Sequence, residues 1–409
     1  MRVTPGSAPS LAGGSPNDRI RRNNLRTLLS ILHHGGVRSR AELTRLTGLN
    51  RSTIGALVGE LIALGLAYET EPSETGSVGR PSPLVHANEN VVALAVNPDV
   101  DAIIIGVVGL GGVVHKRVRF QTTGVPTAKE TINIVSAIVD GMRGELDEKY
   151  RVVGVGLAVP GLVTAEEGVI ALAPHLEWRD EPLAGPMAAA LGYPAHAAND
   201  ANLGIVAERL WGIGRGVQNM VYLNGSTSGI GGGVIVDGHA LSGARGFAAE
   251  LGHTSVHTGG RACFCGRTGC LETEVSLVRL LAVLGRDSID ADELEQIISS
   301  SDDPEVHDEI ERQLDRLALG ISNLISVFDP ELIVLGGFLG TMFSADPERL
   351  RQRVARASFT RLAEGVRIER AELRSRQLLI GAAELAFGPL LDDPAGSLAA
   401  APTARASAV

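Results

Sequence analysis

The sequence predicts an α/β protein with a winged helix-turn-helix at its N-terminus. Three observations carry this expectation: an arginine-rich helical segment before residue 65, short Val/Ile/Ala/Gly runs alternating with helical stretches from Val91 onward, and three cysteines confined to Cys263–Cys270. The chain has 409 residues, room for two to four domains at about 100–200 residues each. Hydrophobic residues at 44% and charged residues at 21% exclude wholesale disorder. Aromatics at 3% speak against nucleic-acid binding by stacking on an aromatic platform. Met1–Gly14 lacks the apolar run of a secretory signal. The longest apolar stretch, Ala102–Val114, contains glycines and falls short of the ~20 residues a membrane span needs. It reads as a strand or hairpin, and the protein is expected in the cytoplasm.

Residues 1–16 are expected to be disordered and 17–90 to form the DNA-binding domain. From Arg19 to Arg51 eight arginines face one acid, Glu42, a local +7 in a chain of net charge −10. Such a patch on an acidic protein is the footprint of a polyanion-binding module, although a solvated helix face gives the same count. Ile20, Leu25, Leu28, Leu29 and Leu32 recur at helical spacing up to Gly35-Gly36. Ser39 and Glu42 then form a capping box that opens a short helix ending at Thr47-Gly48. Asn50 caps a third helix with apolar positions at Ile54, Leu57, Val58, Leu61 and Ile62, ended by Gly65. This is the helix-turn-helix layout, and it leaves Arg51, Ser52 and Thr53 at the exposed end that enters a major groove. Arg40, at the start of the preceding helix, is a further candidate DNA contact. Leu66–Thr70 and Leu84–Ala87 read as wing strands, and Arg80, held between Gly79 and Pro81, suits a narrow minor groove.

From Val91 the predicted strands are Val91–Val96, Ala102–Val108, Val152–Ala158, Met220–Leu223, Gly232–Val236 and Leu332–Leu335. The predicted helices are Ala128–Met142, Ala201–Trp211 and Glu305–Phe328. No repeat of 20–50 residues appears. The Ala/Ser/Pro tail 394–409 is expected to be disordered. Three cysteines within eight residues are no disulfide framework. With His253 upstream, Cys263, Cys265 and Cys270 make a closed tetrahedral donor set for structural Zn²⁺, although His257 competes for the fourth position.

At this cluster the sequence resembles the ROK family of repressors and sugar kinases. The motifs are Glu250-Leu251-Gly252-His253 and the run Cys263 to Glu272, in a Cys-x-Cys-Gly-x-x-Gly-Cys-x-Glu pattern. The likeness covers about 91–390, and the fused winged helix resembles the family's repressor branch. It implies a two-lobed, actin-like (ribonuclease H-like) fold with a cleft, the first lobe being 91–198 with about 380–393 and the second 199–379. It also implies that Asn199, Asp200, Glu250, His253 and Glu272 bind a sugar, that His253 doubles as zinc ligand, and that Asp200 is the base in those members that are kinases. Taken alone, Asn199 or Asp200 reads better as a helix cap and Glu250 as a surface acid; taken with the metal motif they point to a sugar site.

The kinase pattern Asp-x-Gly-Gly-Thr is degenerate here. Asn97-Pro98-Asp99-Val100-Asp101 lacks the metal-holding charge and both glycines, and each added carboxylate opposes a phosphate by ~4 kcal/mol at 4 Å and an effective dielectric of 20. Ser226–Gly233 and Leu335-Gly336-Gly337 match the second phosphate loop and the adenosine segment, but glycines also serve tight strand connections. The leading expectation is therefore a sugar- or sugar-phosphate-responsive repressor of carbohydrate genes that does not use ATP. Its partners would be operator DNA and a second copy, as a homodimer or homotetramer. The alternatives are an ATP-dependent sugar kinase with a fused DNA-binding domain, and a regulator whose corepressor is a protein.

Overall fold

The computed structural model describes residues 16–71, 82–164 and 168–400. They fall into two compact units, one comprising the chain up to Val91 together with Gly388 onward, the other Val92–Phe387.

In the smaller unit the chain runs α1 (Pro16–Gly35), β1 (Arg38–Ser39), α2 (Arg40–Thr47), α3 (Arg51–Ala63), β2 (Ala67–Thr70) and β3 (Leu84–Ala87). The expected caps form: Ser39 and Glu42 make the reciprocal box, Gly48 ends α2 in the left-handed conformation, and the Asn50 side chain accepts from the Thr53 amide at 2.8 Å. Leu25, Leu28, Leu29 and Leu32 of α1 meet Leu43, Ile54, Val58 and Leu61 in a core sealed from solvent. Ile20 is 60% exposed, so the apolar face of α1 starts one turn later than its sequence spacing suggests. β3 lies between β1 and β2, antiparallel to both, which makes the wing. Arg80 lies outside the described residues, as does the stretch 1–15.

The larger unit holds two five-stranded sheets of one topology. The first is built from β4 (Val91–Pro98), β5 (Ala102–Gly109), β6 (Val114–Gln121), β7 (Arg151–Val159) and, after a small antiparallel sheet of β8 (Leu162–Val163), β9 (Val169–Ala173) and β10 (Trp178–Pro182), β11 (Ala195–Asn199). Helices α4 (Ala128–Lys149) and α5 (Ala184–Leu191) cover one face. The order β11-β7-β4-β5-β6 places a three-strand meander beside two further strands. After α6 (Asp200–Trp211), the second sheet repeats that order with β12 (Met220–Ser226), β13 (Gly229–Val236), β14 (His239–Ala240), β15 (Leu332–Gly336) and β16 (Arg367–Arg370), arranged β14-β13-β12-β15-β16. Between and after them come α7 (Leu271–Glu274), α8 (Leu277–Val283), α9 (Ala291–Ser300), α10 (Pro304–Phe328), α11 (Gly337–Ala345), α12 (Pro347–Ala357) and α13 (Thr360–Ala363). Ile310, Leu314, Leu317, Ile321 and Leu324 form the buried stripe of α10 over this sheet. The duplication is invisible as a sequence repeat because a fold constrains burial and hydrogen bonding rather than residue identity.

Helix α14 (Gln377–Asp392) returns to the first sheet. A Cβ on Gly156 of β7 would sit 1.7 Å from the Ala382 carbonyl oxygen, so only glycine permits this approach. Two boundaries differ from expectation. Residues from Gly388 group with the winged helix rather than with the first lobe. The expected disordered tail begins with α15 (Pro394–Ala400), where Asp393 accepts from the Gly396 amide at 3.1 Å. A proline at N1 after an Asp cap is a helix start that the Ala/Ser composition obscured.

Candidate functional site

Two of the expected polar residues sit at the start of α6. Asn199 is the N-cap: its Oδ1 accepts from the Asn202 amide at 2.9 Å, and its Nδ2 donates to the Gly161 carbonyl at 2.9 Å. Any sugar contact by Asn199 comes on top of those two bonds. Asp200 follows, with Oδ1 accepting from the Ala201 amide at 2.8 Å. Burial, together with the nearby charges of Asp99 and Glu250, pushes the Asp200 carboxyl up to about 6. Asp99 is raised too, chiefly by burial, and so is Glu250. The fold thus gathers carboxylates from β4–β5, α6 and the segment after β14 into one electrostatic cluster. The Glu250 carbonyl accepts from the His253 amide at 3.2 Å, while its carboxylate has no hydrogen-bond partner among the described residues.

Glu250 leads to His253, whose Nδ1 lies 3.2 Å from Glu272 Oε1 and 3.5 Å from Cys263 Sγ. Burial works against the Glu272 charge, yet hydrogen bonds from His253 and Cys263 hold its carboxyl below the usual range. Gly229, at φ +115°, opens room for that carboxylate, because a Cβ there would lie 2.6 Å from Glu272 Oε2.

The cysteine loop converges as its spacing suggests. One donor atom from each of His253, Cys263, Cys265 and Cys270 lies within 4.8 Å of the others, and Cys265 Sγ is 3.6 Å from Cys270 Sγ. A tetrahedral Zn²⁺ with metal–sulfur bonds of about 2.3 Å has edges of about 3.8 Å, so the donor set fits a zinc-sized ion. Burial disfavours the Cys265 thiolate, but the Arg267 amide and side chain and the neighbouring thiols bring it down to about 6. His257 instead faces Glu274, Nδ1 to Oε2 3.7 Å.

The segment matching a first phosphate loop is a tight β4–β5 turn with no glycine. Asn97 Nδ2 donates to the Ala158 carbonyl at 2.9 Å, a tie that a carboxylate could not make. Asp99 Oδ1 accepts from the Val100 amide at 2.8 Å and from Ser228 Oγ at 3.2 Å. Ser228 lies in the β12–β13 hairpin that matches the second phosphate loop. The chain's own carboxylate therefore holds donors from both loops. A cavity of about 560 Å³ remains beside it, with Asn97, Asp99, Asn224, Gly336 and Gly337 in its wall.

In the winged helix, Arg51 and Ser52 are exposed and Thr53 is half-buried at the N-terminus of α3. Arg40 is already engaged within the protein: its guanidinium makes a two-pronged ion pair with Glu69 of β2, Nη2 to Oε2 2.7 Å, and so braces α2 against the wing. Sequence reasoning missed His175, Phe264 and Glu208. The first two belong to no spacing pattern, and Glu208 looks like an ordinary helix-surface acid. No described helix is long and apolar enough to cross a membrane.

Residues 94–388 match the profile of the ROK family and residues 20–76 that of the MarR family. The putative xylose repressor of Caldicellulosiruptor sp. (strain Rt8B.4) is 28% identical over 393 residues, covering 91% of this chain and 97% of that protein. The xylose repressor of Bacillus subtilis (strain 168) is 24% identical over 375 residues, with the same 91% and 97% coverage. The glucokinase of Streptomyces coelicolor is 31% identical over 294 residues, 66% of this chain and 90% of that one. The crystal structure of a ROK family transcriptional regulator, a homolog of the E. coli MLC protein, superposes with a TM-score of 0.75 at 25% identity, covering 93% and 98%. A ROK family glucokinase from Streptomyces griseus in complex with glucose and AMPPNP gives 0.62 at 26% identity, covering 73% and 99%. The kinases thus span a smaller share of the chain than the regulators do, and with the match running from β4 into α14 the chain belongs to the ROK family.

Proposed function

We propose that the protein is a sugar-responsive transcriptional repressor of carbohydrate genes. The observation that carries this reading is the coexistence of a winged helix with a carboxylate cluster beside phosphate-type loops that are tied to Asp99. A sugar offers a ring of hydroxyls, and Asp200, Glu250 and Glu272 offer acceptors for them. The repressors among its relatives match the chain along both units, which supports the same assignment.

In this reading α3 enters the major groove and a homodimer sets two such helices on half-sites about 34 Å apart. Sugar binding draws the two lobes of the larger unit together and changes how the pair of winged helices is presented. Zn²⁺ is the metal we assign to His253, Cys263, Cys265 and Cys270; it would supply folding energy to the loop that carries Glu272. A DNA-bound regulator of this kind works in the cytoplasm.

The kinase reading draws on Asp200, whose carboxyl at about 6 is poised to take a proton from a sugar hydroxyl. Asn97 and Asp99 weigh against it, since the metal-holding charge is missing and Asp99 already holds the Val100 amide and the Ser228 hydroxyl. The deciding experiment is fluorescence anisotropy of the full-length protein on DNA from its own upstream region, titrated with sugars and sugar phosphates without ATP. A compound that shifts the DNA affinity several-fold supports the repressor. ATP turnover that requires a sugar and vanishes in Asp200→Asn supports the kinase, and DNA binding indifferent to every compound points to a protein corepressor.

A further inference from the structure

Phe264 stands between two metal-ligand candidates, Cys263 and Cys265, in a protein with only eight phenylalanines, and its side chain is 51% exposed. Its ring is not idle. It meets the His253 imidazole edge-on, with centroids 5.0 Å apart at 81°, and on another side the His175 imidazole at 5.6 Å and 84°. His253 belongs to the polyol cluster through Glu272. His175 comes from the other lobe, in a single 3-10 turn following β9. The Phe264–His175 pair therefore bridges the two lobes beside the carboxylates. His175 also favours the charged forms of both Asp99 and Glu272, which places its imidazole toward the same cleft.

The loop is built to hold Phe264 still. The Cys263 amide donates to the Arg267 carbonyl at 2.8 Å, the Gly266 amide to the Cys263 carbonyl at 3.0 Å and the Gly269 amide to the Arg261 carbonyl at 2.7 Å. The mouth is thereby given a ring carried on an ordered backbone and flanked by two imidazoles. Carboxylates and amides discriminate hydroxyl positions well, but they do not limit the size of what enters. A fixed aromatic wall does that by steric exclusion, and it gives the C–H face of a pyranose an apolar surface to lie on.

We propose that Phe264 and His175 form a gate at the mouth of the polyol pocket that limits the effector to a monosaccharide without bulky substituents. The proposal rests on the sugar reading above and adds to it which residues set the range of sugars.

The test is the melting temperature of the full-length protein with D-xylose, D-glucose, N-acetyl-D-glucosamine or maltose, each titrated over the same range, because a ligand that binds the folded state raises it. Wild type, Phe264→Ala, His175→Ala and His175→Phe are compared, with zinc content measured for each. The expected result is that both alanine variants respond to N-acetyl-D-glucosamine or maltose at concentrations at least about tenfold lower than wild type does, given that a few kcal/mol of steric exclusion is relieved. His175→Phe, which keeps a ring at the gate, should retain the wild-type rank order. If wild type responds to a small sugar and both alanine variants keep its rank order, the gate is overturned and the sugar reading stands. If no form responds to any of the four, the sugar reading falls and the gate with it. Should Phe264→Ala lose zinc or unfold, His175→Ala, which lies outside the metal loop, decides.

Discussion

Asp200 shows what burial costs a carboxylate even at a helix N-terminus. It lies at a helix N-terminus, where a carboxylate is ordinarily favoured, yet burial beside Asp99 and Glu250 lifts its carboxyl to about 6. A folded-state value above the ordinary one means that the folded protein keeps a proton that the unfolded chain releases. The resulting stability is present below about pH 4 and is lost as pH rises through about 6. Asp200→Asn retains the acceptor for the Ala201 amide and removes the charge. We expect it to be more stable than wild type by about 3 kcal/mol at pH 7.5, with the gap closing towards pH 4, and to lose its response to sugar. Chemical denaturation at the two pH values checks this, and an unchanged gap refutes the burial account. Arg51 makes the opposite case, an exposed side chain whose value lies outside the protein. Arg51→Ala should leave the melting temperature unchanged and weaken specific operator binding by about 1–3 kcal/mol, roughly 5- to 150-fold. Random DNA, measured in parallel, should lose far less; equal losses would reduce Arg51 to a phosphate contact.

Among the elements, α6 and α14 carry much of the architecture. α6 begins at the carboxylate cluster and, two turns on, Glu208 accepts from the amides of Leu373 at 2.9 Å and of Glu372 and Ile213 at 3.2 Å. Gln377, at the start of α14, donates to the Gly204 carbonyl of α6 at 3.0 Å and accepts from the Tyr222 hydroxyl at 2.9 Å. Burial raises the Glu208 carboxyl, although those three amides oppose it. Glu208→Ala leaves them without a partner inside the protein, and we expect it to cost about 2–4 kcal/mol in urea denaturation. A cost below about 1 kcal/mol would mean that water replaces the carboxylate. The cysteine loop is the other decisive element. Cys265 is exposed, so Cys265→Ser without a metal would be nearly neutral. With zinc bound, we expect the variant to melt several degrees lower and to lose its zinc by elemental analysis. Unchanged melting and zinc content would dismiss the metal.

Across the whole molecule, charge shows where a linear reading stops. Among the described residues, the fold supplies carboxylates to four of the eight arginines between Arg19 and Arg51: Glu60 to Arg21, Asp393 to Arg22, Asp392 to Arg26 and Glu69 to Arg40. All four acids lie outside the segment, two of them more than 350 residues away, so the local +7 overstates the field that DNA meets. The salt dependence of DNA binding should reflect about four to five phosphate contacts per protomer rather than eight, a slope near −4 in log K against log salt concentration. A slope near −7 would mean that DNA displaces the surface pairs. The sequence by itself determined the elements that local chemistry dictates: the capping box at Ser39 and Glu42, the Asn50 cap, the apolar stripes of α1 and α3, the first two strands of each meander, and a cysteine spacing that brings three thiols together. Such features depend on residues a few positions apart and on backbone donors that each segment must satisfy for itself. Only the tertiary structure decided that Arg40 braces the wing, that Asp99 and Ser228 tie the two loops, that Phe264 meets His175, and that the last helices join the winged helix. Those pairings join residues dozens to hundreds of positions apart, and no local preference records which distant partner a side chain will meet.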